Sequence, residues 1–276
     1  MPILIGLGSP LLDISANVGS ELLDKYGLKE NGAVLIDQQN MDKFMPLEDE
    51  ILNLDSVLFL PGGSALNTIR VFQWADRAIF FGSVGNDSEA EMLLEKTLET
   101  GVEAKFQRIE RVRTGKCFSL INATNRSLCA CLGAASLFSL DFLHLPENAK
   151  LIDTANFFIH LADYIPGKFK KELNEIMPFA NGGKTGGRIV LITRGEKSLI
   201  VAQNGTIKEF PVLFVDKIVD TNGAGDAFCG GFLAAFACDF SLEKCVKFAL
   251  SAAATIVQNC GCTFPEEWVG ECRERK

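Results

Sequence analysis

The stretch Asp220-Thr221-Asn222-Gly223-Ala224-Gly225-Asp226-Ala227-Phe228 has residue types and spacing that can do chemistry. Gly223 and Gly225 allow a tight turn directly ahead of an apolar segment, 227–237, that reads as a helix. A glycine-rich turn entering a helix points several backbone N–H groups outward with a favourable dipole, so Gly223, Ala224 and Gly225 form a candidate anion hole. A carboxylate beside such a hole can accept a hydroxyl proton while the N–H groups stabilise a phosphoryl group in transfer. Asp226 is therefore the candidate general base. The plainer alternative is that Asp226 only complements the helix dipole. Gly230 and Gly231 would weaken the helix unless another backbone packs closely against them.

The surrounding pattern alternates strand-like and helix-like segments, which predicts a parallel sheet covered by helices. Strands are expected over 3–7, 78–84 and 188–193, with helices over 65–74, 88–99 and 242–257. Asp87 or Ser88 is placed to cap the helix at 88. Asn204-Gly205 predicts a hairpin over 199–210. Two short strands at 33–36 and 57–60, and a strand pair over 114–132 turning at 122–125, fall outside this rhythm and predict a small separate sheet.

Composition narrows the function classes. Of 276 residues, 47% are hydrophobic and 22% charged, which is ordinary globular usage. No run approaches the ~20 apolar residues of a membrane span, and the N-terminal residues lack the basic region of a secretory signal. The 27 basic against 35 acidic residues give a net charge of −8, which disfavours nucleic-acid or anionic-membrane partners. Only two histidines and nine cysteines without zinc-site spacing leave little material for a metal centre. Reduced, buried cysteines in a cytoplasmic protein are the expectation.

The nonapeptide at 220–228 resembles the C-terminal signature of the ribokinase-like family of carbohydrate and nucleoside kinases. Pro61-Gly62-Gly63-Ser64-Ala65-Leu66-Asn67 is similar to the family's N-terminal glycine pair, and Phe81-Gly82-Ser83-Val84-Gly85-Asn86-Asp87 to its strand-turn pattern. Within the family, the adenosine-phosphorylating branch is the nearest likeness. Its features stand at Ser9-Pro10-Leu11-Leu12-Asp13-Ile14-Ser15, Gln73-Trp74, Asn125-Arg126-Ser127-Leu128 and Gly261-Cys262-Thr263-Phe264-Pro265-Glu266.

This resemblance implies a doubly wound, mostly parallel α/β sheet flanked by helices, with a small β-sheet lid. The large domain would comprise 1–8, 61–110 and 134–276, and the lid 9–60 and 111–133. The implied activity is transfer of the γ-phosphoryl group of ATP to the 5′-hydroxyl of adenosine, as in purine salvage, by a monomer using Mg2+. Asp13, with Gly63, Ser64 and Asn67, would hold the ribose hydroxyls. Leu11, Leu35, Leu128, Ala130 and Leu132 would line the nucleoside pocket. Arg126 would reach the ATP phosphates, and Thr193, Gly195 and Asn222 would also serve ATP. The residue types agree: an ionised carboxylate accepts both O–H bonds of a diol, and a hairpin arginine can close over phosphate. Another sugar or nucleoside kinase of the family and a non-catalytic nucleoside-binding protein are the alternatives.

The departures from the pattern are specific. Ser9 replaces the usual asparagine before Pro-Leu-Leu-Asp, and the Asn-x-x-Glu element associated with magnesium is absent, so no metal ligand is identifiable. Between 157 and 187 the rhythm contracts to one amphipathic helix, 168–177, and a glycine-rich run, where a crossover usually needs at least about 10–12 residues. Several tens of residues are missing there, because the sequence in hand skips them or because the chain is truly shorter. Loss of central strands should cost more than a marginally stable domain holds, which favours the first. Gly183-Lys184-Thr185 is not a P-loop ending, since Pro178 stands where its first glycine should be. Gly6-Leu7-Gly8 is not a dinucleotide fingerprint, since Leu11 holds the third glycine position.

Overall fold

The computed structural model describes residues 4–37, 39–74, 77–123, 125–144, 159–162 and 189–265. The predicted helix at 168–177, the Gly183–Thr185 run, the site of the absent Asn-x-x-Glu element and Glu266 lie outside them. The chain divides into two units, 1–147 with 215–276, and 148–214.

In the first unit, β1 (Leu4–Leu7), β5 (Ala78–Gly85) and β6 (Glu103–Ile109) form a parallel sheet in the order β1-β5-β6. Every residue of β5 is buried, as expected of a parallel strand covered on both faces. A second sheet, in the order β3-β8-β7-β2-β4, joins β2 (Leu11–Asn17), β3 (Ala33–Leu35), β4 (Val57–Gly62), β7 (Lys116–Asn122) and β8 (Asn125–Cys131). This is the small sheet foreseen from the sequence, with β2 added. The Leu11–Asn17 strand escaped a periodicity reading because six of its seven residues are buried, which erases the alternation. Helices α1 (Ser20–Tyr26), α2 (Met41–Leu52), α3 (Ser64–Gln73), α4 (Ser88–Glu99), α5 (Ala224–Ala237) and α6 (Leu242–Ile256) complete the unit.

Glycines set the spacing of the helices that matter most. A Cβ on Gly230 would stand 2.5 Å from the Thr68 carbonyl of α3, and one on Gly231 2.8 Å from Cβ of Ala252 on α6. The two glycines that weaken α5 locally are thus the ones that let it approach two other helices at once. β4 runs directly into the turn that starts α3, and Gly63 there has φ 96°. Any side chain at that position would strain the backbone and strike the Ser9 carbonyl.

In the second unit, β9 (Ile159–Ala162) pairs parallel with β10 (Val190–Arg194), and β11 (Lys197–Gln203) and β12 (Thr206–Phe210) follow antiparallel. Asn204 and Gly205 both adopt positive φ, 47° and 75°, as a tight hairpin turn demands.

The sheets of the first unit are joined by polar contacts. Asp87 caps α4 through the Ala90 N–H at 2.9 Å and also accepts from the Thr114 N–H at 2.7 Å and the Thr114 hydroxyl at 2.5 Å. Lys116, on β7, contacts Glu48 of α2 at 2.5 Å and Glu89 of α4 at 2.6 Å. Asp87→Ala removes one acceptor from three donors and should lower unfolding stability by about 2–4 kcal/mol in urea titration. A loss within experimental error would show that water replaces the carboxylate.

Candidate active site

The glycine motif folds as a cap. Gly223 holds φ 75° and ψ 0° as the residue preceding α5, and Ala224, Gly225 and Asp226 form the first turn. The opening N–H groups of a helix have no partner within it, so this turn presents donors and the positive end of the dipole together. Asp220, buried, holds the turn in place: one oxygen accepts from the Asn222 N–H and the other from the Gly261 N–H, each at 2.8 Å. Cys262 lies directly under Gly223, where an added Cβ would come within 2.6 Å of the Cys262 Cβ.

Asp226 is met by α3. Ser64 Oγ donates to its Oδ1 at 2.7 Å, and Asn67 Nδ2 to its Oδ2 at 3.0 Å. Residues 162 and 159 positions apart in sequence are thereby brought together, and Asn67 is only 3% exposed. Each carboxylate oxygen has a second lone pair, so accepting these bonds leaves capacity for a proton.

Asp13, on β2, is 9% exposed and faces Leu60 of β4 and Cys117 of β7 in register. Its carboxyl lies over Gly62, where any Cβ would collide with it. Burial drives this carboxyl up from 3.8 to about 7, against the Arg70 and Arg126 charges that favour ionisation, with Asp226 and Asp220 adding to the rise. The Arg126 Nε and Nη1 are buried and have no hydrogen-bond partner among the described residues. Asn31 accepts from the Arg126 backbone N–H at 3.3 Å and donates to Asn125 at 2.9 Å, fixing the strand that carries the arginine.

Leu11 packs with Cys117 and Ala135, and Leu128, Ala130 and Leu132 pack against that cluster. Leu35 is paired with Ala130 in the β3–β8 register but is 53% exposed and outside the cluster. Asn222 stands in the turn ahead of α5. Thr193 and Gly195 belong to the second unit, Thr193 on β10 and Gly195, at φ 62°, in the β10–β11 turn. Four residues of the first unit went unassigned in the sequence: Arg70, Asp220, Gly62 and Cys262. Arg70 carried a usable signal, since it follows Leu66 by four on the buried face of α3, where a charge is out of place.

No group of three or more His, Cys, Asp or Glu side chains suited to a metal ion occurs among the described residues. Magnesium commonly takes only one or two protein carboxylates and is otherwise held by phosphate and water, so a cluster of this kind is not what a nucleotide-borne ion would need.

Residues 22–182 and 162–269 match the pfkB family of carbohydrate kinases. The chain belongs to that family. It is 31% identical to adenosine kinase 2 of Arabidopsis thaliana over 96% of each chain, and 33% identical to the adenosine kinase of Saccharomyces cerevisiae over 96% of this chain and 97% of the other. The Anopheles gambiae adenosine kinase, solved in complex with P1,P4-di(adenosine-5) tetraphosphate, is 32% identical with a TM-score of 0.76, covering 94% of this chain and 96% of that one. A Schistosoma mansoni adenosine kinase structure shares the fold at TM-score 0.81 and 24% identity, over 95% of this chain and 97% of that one. As a pfkB-family member the protein is a phosphotransferase with an alcohol acceptor, on a ribokinase-like α/β fold. The Arabidopsis alignment runs over 336 positions against 276 residues in this chain, so at least 60 positions of that relative have no counterpart within it.

The buried Asp13 has a stability consequence with a definite sign. Its folded value lies above its unfolded one, so its ionisation costs stability progressively as the pH rises from about 4 to 7, and the loss is complete above that. Asp13→Asn should therefore melt above the unaltered protein at about pH 8, with the gap closing near pH 4. Equal melting temperatures at the higher pH would mean that Asp13 is not held in an apolar setting.

Proposed function

We propose that this pfkB-family kinase transfers the γ-phosphoryl group of ATP to the 5′-hydroxyl of adenosine, giving AMP and ADP. The observation that carries the reading is the convergence of Asp226, at the first turn of α5, with Ser64 and Asn67 of α3. It couples a proton acceptor and an anion-stabilising turn to residues suited to sugar hydroxyls. The adenosine kinase relatives in plants, yeast and insects supply the nucleoside.

In this reading Asp13, Gly63, Ser64 and Asn67 hold the ribose, and the apolar cluster of Leu11, Leu128, Ala130 and Leu132 receives the adenine, with exposed Leu35 at its rim. The 5′-oxygen then faces Asp226. As the bond from that oxygen to the γ-phosphorus forms and the bond to the departing ADP breaks, the hydroxyl proton passes to the Asp226 carboxylate. The N–H groups at Gly223, Ala224 and Gly225 stabilise the phosphoryl oxygens, and Arg126 offers to the same charge two nitrogens that have no partner among the described residues. Asn222, Thr193 and Gly195 serve ATP. Magnesium, if carried by the nucleotide, would supply neutralisation of the phosphate charge. The protein acts as a monomer in the cytoplasm, and the lid comprises 9–60 and 111–133. The positions missing relative to the longer kinases fall around 157–187.

Asp226→Ala should retain adenosine binding while turnover drops by at least about 10³-fold in a coupled ADP-release assay. Near-normal turnover would remove Asp226 from its role. Asp13→Ala should chiefly weaken adenosine binding, and an unchanged dissociation constant by calorimetry would contradict a ribose contact. A panel of adenosine, ribose and other nucleosides tests the acceptor. Faster ADP release with another acceptor would reassign the substrate, and adenosine binding without release would leave a nucleoside-binding protein.

A further inference from the structure

Arg70 places a charge where packing alone would favour an apolar side chain. It is 7% exposed on α3, among Leu66, Ile69, Val71 and Phe72. Its Nη1 donates to the Pro61 carbonyl at 2.8 Å and to Asn67 Oδ1 at 3.0 Å, and its Nε has no hydrogen-bond partner among the described residues. A guanidinium only donates and a carboxylate only accepts. Asn67, set between Arg70 and Asp226, therefore has one amide orientation, with Oδ1 on the arginine and Nδ2 on the aspartate. The other acceptor, Pro61, immediately precedes Gly62, over which the Asp13 carboxyl lies. A buried guanidinium costs stability that an apolar side chain of similar volume would not. Both groups that Arg70 contacts lead directly to the reacting site.

We propose that Arg70 is a positioning residue, fixing Asp226 through Asn67 and anchoring the Pro61–Gly63 turn beneath Asp13. The proposal rests on the reading of this site as one that phosphorylates adenosine. It also gives Arg70 an electrostatic role. The charges and thiols that interact with Asp13 are Arg70 on α3, Arg126 on β8, Asp226 in the first turn of α5, Asp220 in the turn ahead of it, and the thiols of Cys117 on β7 and Cys262. The two arginines favour its charged form, while burial and the two aspartates oppose it.

Adenosine phosphorylation by Arg70→Met, Arg70→Lys and the unaltered protein, followed from about pH 5.5 to 9, separates positioning from packing. Arg70→Met should lower kcat at least about tenfold at every pH and move the acid limb of kcat/KM up by about one pH unit. Arg70→Lys keeps the charge and should return the limb to its place, but one ammonium group lacks the fork geometry, so kcat should stay depressed. A folded Arg70→Met variant with unaltered kcat and acid limb would overturn the proposal. Where the methionine variant fails to fold, an unaltered kcat in Arg70→Lys does the same.

If the unaltered protein releases no ADP with adenosine, the functional reading fails instead. Arg70 is then judged from melting curves of the free protein. The loss of stability that Asp13 causes between about pH 4 and 7 should extend to higher pH in Arg70→Met, and an unshifted curve would refute its action on Asp13.

Discussion

The close approach of α5 to α3 is the constraint on which the site depends. Asp226 can meet Ser64 and Asn67 only if the two helices nearly touch, and Gly230, one turn farther along, removes the Cβ that would keep them apart. Gly231 does the same toward α6. Helix propensity is given up at two positions, about 1 kcal/mol each, for a separation that no larger residue permits. A substitution there would displace the carboxylate before it disturbed the rest of the helix.

A second constraint is the burial of charge. Asp13 and Arg70 both lie in the interior, and neither would be chosen for stability alone. The Arg70 charge favours the ionised form of Asp13, but burial outweighs it and holds the carboxyl well above its ordinary range. Under the proposed function, a site that grips a neutral sugar by its hydroxyls needs strong acceptors away from water, and the stability lost would be the counterpart of that grip. The five-stranded sheet makes the arrangement possible, because β2 carries Asp13 and β8 carries Arg126.

Much of this was legible in the chain itself. The Asn222–Asp226 turn announces its conformation, since two glycines before an apolar helix have few other uses. The Asn204-Gly205 hairpin and the Asp87 cap were equally readable, because each is decided within a few residues. What could not be read depends on partners distant in sequence. Asp220 looks like one more residue of a polar loop until Gly261 is seen to donate to it. Gly62 looks redundant beside Gly63, yet Gly63 answers a backbone conformation and Gly62 the nearness of the Asp13 carboxyl. Leu11–Asn17 was hidden as a strand because both its faces are covered.

The tie between Asp220 and Gly261 also bears on when the protein becomes competent during its synthesis. Besides the two N–H groups held by its carboxylate, the backbone N–H groups of Val219 and Asp220 donate to the carbonyl of Val257, just beyond α6. The glycine turn ahead of α5 is therefore braced by residues made some forty positions later. While those residues remain inside the ribosome, the turn has its glycines but not its supports. The nascent chain can build the small sheet and the β1-β5-β6 layer early, and completes the bracing of this turn only when α6 and the residues just beyond it have folded back.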